Sequence, residues 1–144
     1  MILYVPVQED DQVGTFKNTE EAREYFKKDR FATINGMELI DLTEDSSCCC
    51  MTLNENHKNA NGGIMGGVIF TLADLAFAAL ANQIHLPTVA QQVSINYLNS
   101  AKGEKLYAKS SIKKNGKTSI VININVTDET GRDIAQFVGT GFKL

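Results

Sequence analysis

The sequence predicts an α+β fold in which a curved antiparallel β-sheet wraps around one long central apolar helix. From Val68 to Ala81, every residue is apolar except Thr71 and Asp74, and the Ala and Leu content favours a helix over a strand. From Val89 onward, β-rich segments alternate with turn sequences. A helix that is apolar nearly all round must be covered nearly all round, and a curved sheet satisfies that requirement.

The first predicted element is a helix that begins near Asn18 and ends near Lys27 and Lys28. Asn18 and Thr19 are cap-forming residues, and two acidic residues follow them, as is typical of a helix start. The narrow apolar stripe of this helix consists of Ala22, Tyr25, Phe26 and Phe31. A turn at Asn35-Gly36 ends the region.

Two short strands are predicted next, over residues 37–42 and 46–54, with a charged turn between them. The Gly-rich stretch from Gly62 to Gly67 then leads into the apolar helix. After the helix, three or four antiparallel strands are predicted in the segments 89–98, 104–114, 117–128 and 132–144. Asn115-Gly116 is a strong hairpin signal, and the sequence at 120–126 alternates between apolar and largely polar positions, so one face is expected to be buried.

Composition limits the functional classes. A chain of 144 residues with 43% hydrophobic content is expected to form one domain, 1–144, in which residues 1–18 are an extension of unassigned role. A net charge of −3 argues against nucleic-acid binding. The longest apolar run, of about 14 residues, is too short to span a membrane, and no signal peptide is recognisable. We therefore expect a soluble, cytoplasmic protein without nucleic-acid or membrane partners.

The cysteines and histidines indicate no metal, cofactor or disulfide. Cys48, Cys49 and Cys50 are adjacent, so in a strand they point to opposite faces, which suits neither a disulfide nor a metal cage. We expect them to fill a strand in a reducing compartment. His57 and His85 have no ligand spacing relative to the cysteines.

A set of spaced motifs surrounds the apolar helix. Its residues are Asn59 or Asn61, Gly62 or Gly63, Gly66-Gly67, Leu72-Ala73-Asp74, and Tyr97-Leu98 with Ala101. This set resembles the hotdog-fold acyl-CoA thioesterases of the phenylacetic-acid-pathway type, which have an Asn, a spacer and a Gly, then His-Gly-Gly opening a central helix, Leu-Ala-Asp within it, and a later Tyr-Leu-x-x-Ala. Asp29 to Ala32 form a further family-like start, and the resemblance extends from about residue 19 to the C-terminus. One departure stands out, because Met65 occupies the position of the family histidine.

The start of the apolar helix is a candidate electrophilic site. A helix that begins near Gly66 directs unpaired N–H groups and the positive end of its dipole at whatever lies before it. A thioester oxygen placed there is stabilised as negative charge develops on it. Asp74 lies eight residues further, roughly 12 Å along the helix at about 1.5 Å per residue, so one subunit does not easily bring both groups to one atom.

The resemblance implies how these groups meet. Two subunits pair as a homodimer or a dimer of dimers, and Asp74 of one subunit faces the glycine turn of the other as nucleophile or general base. Gly66 supplies the amide that polarises the thioester carbonyl, and Asn59 holds substrate or water. Each residue also has a purely structural interpretation: Asp74 as a surface carboxylate, Asn59 as a loop former, and Gly66 with Gly67 as a turn.

Further residues are candidates for substrate binding. Met65 and Gly67 flank the amide, although Met65 is more typical of a gap-filling side chain. Gln91 and Gln92 lie on the strand that lines the pocket in relatives, and at most one of them can face the site, because neighbours on a strand point to opposite faces. Lys113 and Lys114 belong to a lysine-rich stretch that can receive the phosphates of coenzyme A, or that forms a solvated hairpin.

Three functions remain open from the sequence. The first is an acyl-CoA thioesterase that hydrolyses a thioester to free acid and thiol, and the resemblance favours it. The second is a non-catalytic acyl-CoA-binding hotdog protein, which the substitution at Met65 favours. The third is a hydratase acting on enoyl thioesters, for which the sequence lacks the expected Asp/His pair.

Overall fold

The computed structural model describes residues 13–144. Among these residues, six antiparallel strands form one sheet in the order β1-β2-β4-β5-β6-β3. The strands are β1 (Glu38–Leu42), β2 (Ser46–Thr52), β3 (Thr88–Tyr97), β4 (Lys105–Asn115), β5 (Ser119–Asp128) and β6 (Asp133–Lys143). The helices are α1 (Thr19–Phe26), α2 (Arg30–Ile34) and α3 (Gly66–Ile84), and a 3₁₀ turn lies at Glu55–His57.

The sheet packs its inner face against α3, which confirms the predicted architecture. On β5, Ile120, Ile122, Ile124 and Val126 are all buried, as their alternation predicts. By length and composition α3 is apolar enough to cross a membrane, which corrects the estimate of about 14 residues from the sequence. However, 67% of its most apolar window is buried inside the fold, as expected of a core helix.

The predicted N-terminal helix is confirmed as α1, which ends at its C-cap Lys27, but Phe31 does not belong to it because a second helix follows. Asp29 has φ −73° and ψ 83°, outside the helical region, so α1 ends before it and α2 begins after it. As a result Phe31 is not part of the α1 stripe and is 68% exposed. The buried ring of Phe16 completes the cluster instead, with its centroid 5.3 Å from Tyr25 and 5.7 Å from Phe26.

Part of the N-terminal extension is therefore docked on the core. The backbone N–H of Phe16 donates to Oε1 of Gln83 (2.8 Å), and Nε2 of Gln83 donates to the carbonyl of Phe16 (3.1 Å). Gln83 lies near the end of α3 and is buried. Residues 1–12 of the extension lie outside the described residues.

The three cysteines lie in β2 as predicted and are free thiols. Cys49 is fully buried on the inner face, whereas Cys48 and Cys50 are half-buried. Burial raises the pKa of the Cys49 thiol well above its usual value, so this group stays protonated and packs as a small apolar side chain.

The carboxylate of Asp128, at the end of β5, anchors the connection between β3 and β4. It accepts hydrogen bonds from the hydroxyl of Thr130 (2.5 Å) and from backbone N–H groups that include those of Lys102 (3.0 Å) and Arg132 (3.2 Å). These bonds, the Thr130 hydroxyl first, hold the pKa of Asp128 well below its usual range. The connection from residue 98 to 104 is thereby fixed against the turn between β5 and β6.

Replacing Gly139 with Ala is expected to destabilise the fold by about 1–3 kcal/mol through overpacking. A Cβ at Gly139 would lie 2.7 Å from two ring carbons of Phe77, which is a core side chain of α3. Urea unfolding measures the change, with Thr140→Ala on the opposite face of β6 as the control. Equal stability of Gly139→Ala and the wild type would contradict this packing.

Asp128→Asn is expected to lower the thermal midpoint at pH 7, because a neutral amide cannot accept the same set of donors. A carboxyl with a depressed pKa stabilises the fold fully above its unfolded pKa of about 3.9, and this contribution is lost as pH falls below that value. The difference between variant and wild type should therefore shrink below about pH 4. Asp133→Asn is the matched control. A difference in thermal midpoint that does not change with pH would argue against a stabilising role of the ionised Asp128 carboxylate.

Candidate active site

The start of α3 has two backbone N–H groups without an acceptor in the described part of the chain. Met65 precedes the helix in an extended conformation (φ −61°, ψ 134°), and no side chain caps the helix. The carbonyl of Met65 accepts from Val68 N–H (3.0 Å). Within residues 13–144, neither Gly66 N–H nor Gly67 N–H has a hydrogen-bond acceptor. This helix start thus presents free donors and the positive end of a 19-residue helix to a ligand.

His57 holds the loop before α3 in place and does not substitute for the family histidine. Its side chain is buried, and its Nδ1 accepts from the N–H of Asn54 (3.0 Å) in a capping box. Its backbone carbonyl accepts from Met65 N–H (2.9 Å). His57 therefore fixes where Met65 and the helix start lie, which its position in the sequence did not indicate.

The position of Asn59 is compatible with both roles that the sequence left open, which are shaping the loop and holding substrate or water. Its Oδ1 accepts from the N–H groups of Asn61 (2.9 Å) and Gly63 (3.1 Å), so the side chain shapes the loop. Since those donors fix which end of the amide is oxygen, Nδ2 points the other way and has no acceptor among the described residues. Asn59 lines a cleft of about 440 Å³ that also contains Gly66, so Nδ2 is available to a ligand there.

Tyr97 belongs to the same cleft and holds the helix start. Its hydroxyl donates to the carbonyl of Gly66 (3.0 Å). Its ring lies so close that a Cβ on Gly66 would meet Tyr97 Cζ at 3.0 Å, so glycine is the residue that fits. The sequence matched Tyr97 only as part of a motif; its contact with Gly66, 31 positions away, is a tertiary feature.

Asp74 lies two turns along α3 and lines a different cleft, of about 330 Å³. The side chain is half-buried and has no hydrogen bond or ion pair with any residue in the described range. Desolvation raises the pKa of its carboxyl, and the negative charge of Asp29 raises it further. A single chain therefore does not bring Asp74 and the Gly66 amide into one cleft.

The remaining candidates are exposed. Met65 is 56% exposed beside Gly67, and a Cβ on Gly67 would touch Met65 Cε at 3.7 Å. On β3, the pairing register shifts between Ala90 and Gln92, so Gln91 is the extra residue of a bulge. The bulge interrupts the alternation from which we expected at most one glutamine to face the site, and that expectation stays a prediction.

Lys113 and Lys114 lie far along the sheet from the helix start. Tyr97 is in the sheet row of Ala108, as the pairings through β6 and β5 show. Lys114 is six residues further along β4, or roughly 20 Å at about 3.3 Å per residue. Neither lysine lines the Asn59 cleft of its own chain. Their predicted role in phosphate binding stays a prediction.

A helix start with free amides beside a cleft, under a curved antiparallel sheet, is typical of the class of thioester-processing folds that the motifs indicated. Residues 61–135 match the family model of the thioesterase superfamily. A putative esterase of Deinococcus radiodurans is 33% identical over 112 residues, which is 76% of each chain. The chain belongs to the thioesterase superfamily, which confirms the predicted family and the prediction of a thioester hydrolase.

Two further relatives are similar to this chain in sequence or in structure. The acyl-coenzyme A thioesterase PaaI of Escherichia coli is 27% identical over 129 residues, covering 89% of this chain and 92% of the relative. Its solved structure superposes with a TM-score of 0.81 over 87% of this chain and 91% of that one, at 26% identity. A hypothetical thioesterase from Streptococcus pneumoniae, solved with coenzyme A, has a TM-score of 0.74 at 26% identity, covering 81% and 94%. The hotdog fold is thereby confirmed.

Tyr97→Phe is expected to lower the turnover of a thioester by up to about tenfold, because one neutral hydrogen bond contributes roughly 0.5–1.5 kcal/mol. The variant keeps the ring against Gly66 and removes only the hydroxyl that holds its carbonyl. Faster hydrogen exchange of the Gly67 amide should accompany the loss. Tyr107→Phe is the control; identical kinetics and exchange in Tyr97→Phe and wild type would exclude this role.

Proposed function

We propose that this protein is an acyl-CoA thioesterase whose active site is completed by two subunits. The observation that carries the proposal is the separation of two chemically complementary groups on α3. Among the described residues, the N–H donors at Gly66 have no acceptor, and the desolvated carboxylate of Asp74, eight residues away, has no partner. Each lines its own cleft, so each lacks the group that the other provides.

The reaction follows from these two groups. The thioester oxygen accepts from Gly66 N–H, which stabilises the negative charge that develops on it during attack. Asp74 of the partner subunit, acting as general base, takes a proton from water, and the resulting hydroxide forms a bond to the carbonyl carbon. The carbon–sulfur bond then breaks, and the thiolate of coenzyme A leaves and is protonated. Alternatively, Asp74 attacks the carbonyl carbon directly and expels the thiolate, and water then hydrolyses the resulting mixed anhydride to the free acid and the Asp74 carboxylate.

The neighbouring side chains are suited to supporting roles. Asn59 shares a cleft with Gly66, which supports a role for its Nδ2 group as donor to substrate or to the attacking water. Met65 and Gly67 border the amide, and Gln91 and Gln92 of β3 stay predicted contacts for the substrate. The amide that polarises the carbonyl is a backbone group, so Met65 in place of histidine leaves the electrophilic element intact.

The surface of the chain supports pairing of two copies. β3 is an edge strand of the sheet, and edge strands present unpaired backbone groups to a second chain. Beside it, α3 leaves one stripe at helical spacing partly accessible, which includes Phe70, Thr71, Asp74 and Ala78. A two-fold related copy would cover this stripe and bring each Asp74 towards the other helix start. A homodimer is the minimum, and a dimer of dimers contains the same sites.

The relatives support coenzyme A as the carrier. One curated relative is named an acyl-coenzyme A thioesterase, and one similar structure contains coenzyme A. Lys113 and Lys114 are the predicted contacts for its phosphates. A cytoplasmic location, and the absence of cofactor, metal, nucleic-acid and membrane partners, stay predictions from the sequence.

A non-catalytic acyl-CoA-binding protein is the second candidate. The observation that favours it is Met65, which presents an exposed thioether where the family has an imidazole. A hydratase finds no such support, because neither histidine lies in the Asn59 cleft. His57 is buried in the loop, and Nε2 of His85 is bonded to the carbonyl of Leu144 (2.8 Å).

Asp74→Asn is expected to lower hydrolysis by about 10²–10⁴-fold, the usual contribution of a general base. Thiol release from short, medium and aryl acyl-CoAs, followed for variant and wild type side by side, measures the effect. Asp41→Asn, at an exposed position of β1, is the charge-matched control. Bound but unhydrolysed acyl-CoA with a folded wild type would favour the second candidate instead.

A further inference from the structure

The Asp29–Ala32 motif has no role in the proposed reaction, yet it forms one wall of the cleft beside Asp74. This cleft lies between the start of α2 and the middle of α3. Phe31 and Phe70 contribute apolar walls, and Thr71 lies one turn before Asp74. Asp29 and Asp74 thus line the same cleft of about 330 Å³.

The Asp29 carboxylate does not cap the helix that it precedes. Asp29 is the N-cap residue of α2, a position where an aspartate usually accepts from the first amides of the helix. Here no side-chain cap bond is made, and the N–H of Thr33 is bonded to the Asp29 backbone carbonyl (2.9 Å). Over residues 13–144 the Asp29 carboxylate has neither a hydrogen bond nor an ion pair.

Few charges surround Asp74. It is the single ionisable residue of α3, and the inner face of the sheet meets this helix with apolar side chains, Ser47, Ser110 and the thiol of Cys49. The acidic residues of β1, Glu38 and Asp41, are exposed and do not line the cleft. The start of α2 contributes Asp29 and Arg30, both exposed, as the charged groups of the cleft wall.

We propose that Asp29 is a positioning residue whose negative charge, held beside Asp74 across this cleft, makes Asp74 a stronger base than a lone carboxylate would be. The inference rests on the proposed function and deepens it. A general base works best when its proton affinity is matched to the operating pH, and carboxylates reach that range by desolvation and by like charges. Burial contributes the larger part of the rise in the pKa of Asp74, and the negative charge of Asp29 raises that pKa further.

The test is the pH dependence of kcat/KM for three variants. Asp29→Asn removes the charge, Asp29→Glu keeps it, and Glu44→Gln removes one charge from the exposed turn between β1 and β2. Because a like charge raises the pKa of Asp74, its removal should shift the acidic midpoint of the profile to lower pH. Asp29→Glu and Glu44→Gln should keep the wild-type midpoint. High salt should move the wild type towards Asp29→Asn.

A second measurement separates this inference from the proposed function. The side-chain carboxyl of Asp74 is titrated by carbon-13 NMR without substrate, with Asp74→Asn identifying its signal. A lower midpoint in Asp29→Asn supports the inference even if no thioester is hydrolysed. An unmoved midpoint overturns it even if hydrolysis is fast. A uniform loss of activity without a midpoint shift indicates a structural role for Asp29 and also overturns the inference.

Discussion

A helix as apolar as α3 is stable in water only where other groups cover it, and the remainder of the structure depends on this burial. The sheet covers α3 along most of its surface, with β5 and β6 supplying a continuous inner layer. Gly139 lets the Phe77 ring approach β6 closely, so this glycine contributes to the close packing of the sheet on α3. What stays uncovered is one stripe, and it carries the single charge of the helix, Asp74.

The same burial determines the chemistry. Because the helix is long and its start is uncapped, its first amides act as a fixed positive site that needs no side chain. His57, Asn59 and Tyr97 hold that start from the loop and from β3. Two turns further along α3, desolvation raises the pKa of Asp74. The loss of the family histidine at Met65 leaves both elements in place, which is why we favour an enzyme over a binding protein.

Local patterns in the sequence predicted those parts of the fold that local patterns determine. The composition of α3, the alternation in β5 and the Asn115-Gly116 hairpin each specify their element without help from distant residues. The break between α1 and α2 and the bulge at Gln91 depend on backbone conformations that periodicity does not encode. The contacts of Tyr97 with Gly66, and of Asp29 with the Asp74 cleft, join positions far apart in the chain, so no spacing rule could indicate them.

Subunit complementation tests the shared site most directly. Gly66→Pro deletes the amide at a helix position that tolerates proline, and the extended Met65 accepts a following proline, although the Tyr97 ring must shift slightly. Gly66→Pro and Asp74→Asn are each expected to be inactive. If each site uses both subunits, an equal mixture refolded together should recover roughly a quarter of the wild-type activity, because half of the dimers contain one intact site. No recovery in verified heterodimers would contradict the account.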